Sequence, residues 1–163
     1  MYKRQKNGAT LQALSKKLDE LLLLKPDYVL IQFGHNDQKR YDTTVYREHL
    51  RSYAERIRKS GGQAVIVSSV TRRSFDADGK IVSELVQNEK YSYKATLTEY
   101  ADAAKPLAVE LNLPFIDLHA ASITHHNKIG HEESMTYNFK EGDVTHFNQK
   151  GADAVSYTHL TLP

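Results

Sequence analysis

The sequence lacks cysteine and any long apolar run, and each absence excludes a class of protein. Without cysteine the chain can form neither a disulfide nor a thiol nucleophile. Its longest apolar run, Leu21–Leu24, is far shorter than the roughly 20 residues that span a membrane. The 22 lysines and arginines are interspersed with 20 aspartates and glutamates, so no basic patch marks a nucleic-acid surface. We therefore expect neither a membrane nor a nucleic-acid partner.

The composition is that of a single soluble globular domain. The chain has 163 residues, of which 40% are apolar and 26% charged, and a domain commonly takes about 150 residues. Its two ends differ from the rest: "MYKRQ" (1–5) and "VSYTHLTLP" (155–163) resemble translated sequencing-library adapter. We therefore expect a natural, partial domain over 6–154, with foreign tails at 1–5 and 155–163.

Apolar spacing predicts helices alternating with strands. Pro106 should kink or split the third helix, since proline lacks the N–H of a helix interior. The tyrosines at helical spacing are predicted to pack in the core. In chain order the predicted elements are a helix over 10–24, a strand over 27–33, a helix over 42–60, a strand over 63–70, a polar insertion over 71–91 with a turn at Asp78-Gly79, a helix over 92–112, a strand over 114–120, a long loop, and a helix from Asn148; the tyrosines are Tyr46, Tyr53, Tyr93 and Tyr100.

The predicted strands are continuous apolar runs, which is typical of a parallel sheet covered on both faces. The fold class predicted is therefore α/β, a three-layer α/β/α sandwich. Sites in such sheets lie at the carboxyl ends of the strands. Gly34-His35-Asn36-Asp37 follows the first predicted strand directly, so these polar residues are placed where chemistry is expected.

A second polar motif, "GDVTHFNQKGA" (142–152), contains Asp143 and His146 three residues apart in a predicted loop. A carboxylate at this spacing can accept from one imidazole nitrogen and leave the other facing a substrate. Alone, the Asp-x-x-His pattern also occurs in ordinary loops and helix caps. Together with the Gly-x-Asn-Asp motif it becomes specific.

Four segments in this order resemble the SGNH (GDSL-like) hydrolases, and among them the rhamnogalacturonan acetylesterase type. The segments are "YVLIQFGHNDQK", "TRRSFDADGKIV", "LNLPFIDLHA" and "DVTHFNQKGA". The resemblance implies a flavodoxin-like fold and a serine esterase that needs no cofactor and acts on acetylated carbohydrate. It also implies a secreted or periplasmic location for the full-length parent.

The resemblance assigns roles to residues of this chain. Asn36 is implied as the side-chain donor of the oxyanion hole, with the Gly8 N–H completing it. His146 is implied as the general base and Asp143 as the carboxylate that orients it. Gly34 belongs to the same block as Asn36.

The chain departs from the family at the nucleophile, because no serine follows an apolar strand within Gly-Asp-Ser. Ser68 and Ser69 end the second predicted strand, which corresponds to a later strand of the family, so neither is a good candidate. We expect an N-terminally truncated fragment that lacks the first strand and is inactive by itself.

Several interpretations stay open. The His35 side chain either lines the active-site cleft or is engaged in packing or solvent contact. Asp37 is expected to stabilise its own turn more readily than to contact substrate. Arg72 and Arg73 bind an acidic sugar or form a solvated pair. The histidines within 125–134 suggest zinc, but a polar loop without ordered ligand spacing favours no metal. Rival functions are acyl hydrolysis of lipid or thioester substrates and non-catalytic glycan binding.

Overall fold

The computed structural model describes residues 8–83 and 92–158, the last two without their side chains. The described residues of Met1–Ser69 and Leu85–Ile116 form one compact unit, and those of Val70–Glu84 and Asp117–Pro163 form a second. The predicted tail 1–5 lies outside the described residues, as do residues 84–91 of the polar insertion and residues 159–163 of the second tail.

The first unit contains a parallel three-stranded sheet in the order β1-β2-β3. Strand β1 is Tyr28–Gln32, β2 is Gln63–Val67 and β3 is Phe115–Ile116. Ile31 pairs with Ile66, which pairs in turn with Phe115. The predicted α/β class with a parallel sheet is therefore confirmed. Because the strands are parallel, the loops after β1 and β2 both begin at the carboxyl-terminal end of the sheet.

Three α-helices belong to the first unit: α1 (Ser15–Leu22), α2 (Thr43–Lys59) and α3 (Leu97–Glu110). A single turn of 3₁₀ helix, Gln12–Leu14, precedes α1. The Asp42 side chain caps α2 by accepting from the Val45 N–H. The core of the unit includes Leu11, Leu18, Ile31, Tyr46, Leu50, Tyr53, Ile57, Ile66, Tyr100 and Leu107. Tyr93 is buried as well, so the predicted packing of all four tyrosines is confirmed.

Helix α3 corrects two predictions. It begins at Leu97, five residues later than predicted, because Thr96 and Glu99 form a capping box there. Tyr93 is buried outside the helix, and its spacing extended the apolar pattern beyond the true start. Pro106 does not split α3, which continues through it to Glu110. The burial of apolar side chains beside it, Leu107 among them, stabilises the helix against the loss of the hydrogen bond that proline cannot donate.

The first strand is wrongly predicted to be buried on both faces. Tyr28 is 63% exposed and Leu30 65% exposed, whereas Ile31 is buried. Within the part of the chain that the structure describes, β1 pairs only with β2 and so lies at the edge of the sheet. The more central β2 has the largely buried pattern that its apolar sequence predicts.

The second unit contains α4 (Leu118–Met135) and α5 (Gln149–Thr158). Two predictions are wrong here: the strand from 114 ends at Ile116, because Asp117 caps α4, and the long loop is mostly helix. The apolar pattern does not indicate this helix because several of its buried positions are polar, as Ser122 and His126 illustrate. Gly130 interrupts α4 with φ 78° and ψ 176°.

Two other predictions in the second unit are confirmed. The predicted turn at Asp78-Gly79 is present, with Gly79 at φ 71° and its N–H donating to the Asp76 carbonyl. Helix α5 follows Asn148, as predicted. None of the helices in the described ranges combines the length and apolarity that a membrane span requires.

Candidate active site

The turn after β1 is built around Gly34. Its φ is 142°, in the region that favours glycine. A Cβ at this position would lie 2.3 Å from the Ser69 Oγ, which follows β2. The Ser69 hydroxyl in turn donates to the Phe33 carbonyl at 2.7 Å. Glycine is thus required by the close approach of two chain segments, and Ser69, which is buried, has a structural contact.

Asn36 immediately precedes the 3₁₀ turn Asp37–Lys39 and is half-buried. Its Oδ1 accepts from the Lys39 Nζ at 3.0 Å. An ammonium group can only donate, so this contact identifies the amide oxygen, and the Nδ2 group is the donor end of the side chain. Asn36 therefore presents a neutral N–H donor just beyond the carboxyl end of β1. That is the chemistry an oxyanion hole requires.

Asp37 is fully buried and joins the turn to the start of the chain. Its Oδ1 accepts from the Leu11 N–H at 3.0 Å. Burial raises the pKa of the Asp37 carboxyl, and the Leu11 N–H and the charge of His49 oppose that shift only in part. Asp37 therefore stabilises the turn by a hydrogen bond to a distant segment of the chain. Nothing in the sequence around Leu11 identifies it as the partner of Asp37.

The remaining predicted residues of the first unit are His35 and Gly8. His35 is half-buried, and its carbonyl accepts from the Gln38 Nε2 at 3.2 Å. Gly8 is exposed, has φ 72° and lies three residues before Leu11. The Leu11–Asp37 hydrogen bond therefore ties the segment that carries Gly8 to the turn that carries Asn36.

The second unit brings Asp143 and His146 together. The His146 Nδ1 lies 3.1 Å from the Asp143 Oδ1 and 3.0 Å from its Oδ2. The Asp143 side chain is 14% exposed, whereas that of His146 is 75% exposed. This contact favours the tautomer in which Nδ1–H donates to the carboxylate, leaving a lone pair on an accessible Nε2. The pair can therefore accept a proton from a substrate or nucleophile.

The Asp143 carboxyl is held ionised by its neighbours. Partial burial acts to raise its pKa, but hydrogen bonds from the His146 N–H, the His146 imidazole and the Thr145 N–H outweigh it. The pKa of Asp143 consequently lies below its ordinary value. A carboxylate in this state orients the imidazole and stabilises the imidazolium once it forms.

The two arginines differ, which corrects the prediction made for them as a pair. Arg72 is half-buried, whereas Arg73 is 1% exposed. Arg73 donates from Nε to the Asn138 Oδ1 and from Nη2 to the carbonyls of Asp143 and His146. The Arg73 side chain is therefore buried in hydrogen bonds within the protein and is neither solvated nor available to a sugar. Because its partners are more than 60 residues away, no local sequence pattern predicts these contacts.

The histidine-rich segment 125–134 lies in helix α4 and not in a loop. His126 is buried, and its Nδ1 lies 2.9 Å from the Ser134 Oγ. Burial lowers the pKa of His126 to about 4, so the ring is neutral near pH 7. Among the residues that the structure describes, no three histidines or carboxylates are grouped as a metal ion would require.

The chain belongs to the GDSL-like lipase/acylhydrolase family, which matches residues 2–154. The family predicted from the four motifs is confirmed. A curated relative, the rhamnogalacturonan acetylesterase RhgT of Bacillus subtilis (strain 168), is 40% identical over an alignment of 145 residues, and the match covers 80% of this chain and 57% of the relative. The chain thus spans less than two thirds of the length of the curated relatives it matches.

Solved structures show the same fold. The acetylxylan esterase Axe2 of Geobacillus stearothermophilus matches with a TM-score of 0.67 at 21% identity, covering 94% of this chain and 67% of that one. The acetyl xylan esterase AlAXEase matches with a TM-score of 0.72 at 18% identity, covering 96% and 77%. At these identities the likeness concerns the fold, and it confirms the predicted SGNH-type α/β architecture.

Proposed function

We propose that this chain is part of a serine esterase that hydrolyses O-acetyl esters on cell-wall polysaccharide such as rhamnogalacturonan. The observation that carries the proposal is the contact between the Asp143 carboxylate and the His146 Nδ1, with Nε2 accessible. Family membership supports the hydrolytic class, and the name of the 40% identical relative supports the substrate.

In the proposed reaction a serine oxygen attacks the acetyl carbonyl and its proton passes to the His146 Nε2. The resulting oxyanion accepts hydrogen bonds from the Asn36 Nδ2 and the Gly8 N–H. The intermediate collapses, the bond to the sugar oxygen breaks, and His146 returns the proton to that oxygen. Water, activated by His146, then releases acetate from the acyl-serine. Asp143 keeps the imidazole in the required tautomer throughout.

The nucleophilic serine is proposed to belong to a part of the enzyme that this sequence does not contain. No serine here stands in a Gly-Asp-Ser context. Ser68 and Ser69 are 1% and 4% exposed, and Ser69 donates to the Phe33 carbonyl. Within this proposal the 163-residue chain by itself has no esterase activity, and the completed enzyme is secreted or periplasmic.

The proposal is tested by transplanting the predicted domain, residues 6–154, into RhgT in place of the region it matches. The chimera should release acetate from acetylated rhamnogalacturonan. His146→Ala should lower kcat by about 10²–10⁴, the range typical of a lost general base. His131→Ala, which removes an exposed histidine of the same unit, is the matched control and should leave kcat unchanged.

The same assay separates the rival functions. Faster turnover of long-chain acyl esters or thioesters than of acetyl esters would support a lipid or thioester acyl hydrolase. A chimera that binds the polysaccharide without cleaving it would support a glycan-binding protein. A rate that His146→Ala leaves unchanged would overturn the catalytic assignment altogether.

A further inference from the structure

Arg73 is a charged side chain in an almost completely buried position. It is 1% exposed and, within the described part of the chain, is the largest of the fully buried side chains. Burial lowers the pKa of its guanidinium to about 10, with the charge of Asp143 opposing the shift, so the group stays protonated at neutral pH. A buried charge is destabilising unless it is hydrogen-bonded. What Arg73 contacts therefore has to compensate for that burial.

The contacts of Arg73 converge on the loop that carries the candidate base. Its Nη2 donates to the Asp143 carbonyl at 2.9 Å and to the His146 carbonyl at 2.6 Å. Its backbone N–H donates to the Val144 carbonyl at 3.0 Å. Three of the four residues from 143 to 146 are thus held through their main chain by one arginine.

Two further contacts fix the guanidinium itself. Its Nε donates to the Asn138 Oδ1 at 2.7 Å. Its Cζ lies 4.1 Å from the centre of the Phe147 ring, within the range of a cation–π interaction. These two contacts orient the planar guanidinium for its hydrogen bonds to the loop carbonyls. A lysine ammonium group has no such plane and would not be oriented in this way.

The loop needs such support because His146 has little of its own. Its side chain is 75% exposed, so packing does not hold the imidazole. The ring is placed by its hydrogen bond to Asp143 and by the backbone from which both side chains extend. A shift of that backbone by a fraction of an ångström would change the distance from Nδ1 to the carboxylate.

We propose that Arg73 is a positioning residue, which holds the main chain of Asp143 and His146 so that the carboxylate orients the imidazole. The inference deepens the proposed function and rests on it for its catalytic meaning, while the geometry it invokes can be measured without catalysis.

The test is NMR spectroscopy of the isotopically labelled 163-residue chain, with the imidazole ¹⁵N shifts of His146 and the carboxyl ¹³C titration of Asp143 as readouts. In the unchanged chain we expect the Nδ1–H tautomer and a depressed Asp143 pKa. Arg73→Gln should shift the ring towards the Nε2–H tautomer and raise the Asp143 pKa towards its ordinary value of about 3.9.

Arg73→Lys, which keeps the charge and the aliphatic stem, serves where the glutamine variant fails to fold. It should change both readouts in the same direction, because lysine lacks the planar fork. Ser134→Ala is the matched control: it removes a buried hydrogen bond to His126 in the same unit and should leave both readouts unchanged.

Folded Arg73→Lys or Arg73→Gln protein with the tautomer and the Asp143 pKa unaltered would overturn the inference. A response to Ser134→Ala equal to that of the Arg73 variants would overturn it too, since general loosening would then explain the effect. In the RhgT chimera Arg73→Lys should lower kcat more than it changes KM. An inactive chimera would count against the proposed function and leave the spectroscopic result standing.

Discussion

At the scale of single residues, Asp37 is a buried carboxyl group next to the candidate oxyanion-hole residue Asn36. Asp37 has no exposed surface, and its Oδ2 has no hydrogen-bond partner among the residues that the structure describes. The pKa of its carboxyl is raised by burial, which means that ionising the group in the folded protein is unfavourable. The compensation is the hydrogen bond from the Leu11 N–H, which joins the turn carrying Asn36 to the start of the chain.

Asp37→Asn should change how the free energy of unfolding depends on pH. The folded pKa of Asp37 lies above the unfolded value of about 3.9. The protonated carboxyl therefore favours folding, and that contribution is lost as the pH rises through the folded pKa. The asparagine variant keeps an acceptor for the Leu11 N–H and has no carboxyl to ionise. Its free energy of unfolding should therefore rise relative to that of the unchanged protein over that pH range. Urea unfolding at a series of pH values measures the difference.

Asp37→Ala is the control for that experiment, because it removes the acceptor for the Leu11 N–H as well as the charge. It should be less stable than the asparagine variant at every pH. A difference between Asp37→Asn and the unchanged protein that stays constant from acid to neutral pH would contradict the raised pKa.

Individual elements are defined by local hydrogen bonds at their ends. Helix α3 begins where the Thr96 Oγ1 accepts from the Glu99 N–H at 3.3 Å and the Glu99 carboxylate accepts from the Thr96 N–H at 2.7 Å. These bonds satisfy N–H groups that the helix itself leaves unpaired. The hydrogen bonds that the Glu99 carboxylate accepts from the Thr96 N–H and the Thr96 hydroxyl lower the pKa of Glu99.

Thr96→Ala should lower the free energy of unfolding by about 1 kcal/mol, the usual cost of removing a helix cap. Thr44→Ala is the matched control, since Thr44 is exposed in the first turn of α2; it should leave stability within about 0.5 kcal/mol. Equal effects of the two substitutions in urea unfolding would show that the capping box contributes nothing specific.

At the scale of the whole molecule, the described sheet presents exposed apolar side chains at its β1 edge. Strand β1 pairs with β2 alone among the described residues, and its Tyr28 and Leu30 side chains are 63% and 65% exposed. An edge with unpaired backbone groups and apolar side chains favours pairing with a second chain. We therefore expect self-association that increases with protein concentration.

Leu30→Lys should weaken that self-association, because a charge on an edge strand disfavours strand pairing. Val109→Lys is the matched control, since Val109 is an apolar residue that is 76% exposed on α3 and not part of strand β1. Sedimentation velocity at increasing concentration is the measurement. A chain that stays monomeric at all concentrations, or that responds equally to both substitutions, would show that β1 is not the adhesive edge.

Local chemistry is what the sequence by itself determined. The helix starts near Asp42 and Asn148, the turn at Asp78-Gly79 and the three-residue spacing of Asp143 and His146 are all predicted from the amino-acid order. Each depends on groups that are only a few residues apart, so the sequence is sufficient to predict the interaction. The family followed from the same motifs.

Only the tertiary structure decided which polar groups are buried. Arg73 looks like its neighbour Arg72 in sequence, yet its partner Asn138 lies 65 residues away. Helix α4 buries Ser122 and His126, which a hydrophobic pattern cannot indicate, and β1 exposes Leu30, which the pattern predicts to be buried. Burial depends on what other parts of the chain bring against a side chain, and long-range hydrogen bonds make a charged or polar interior possible.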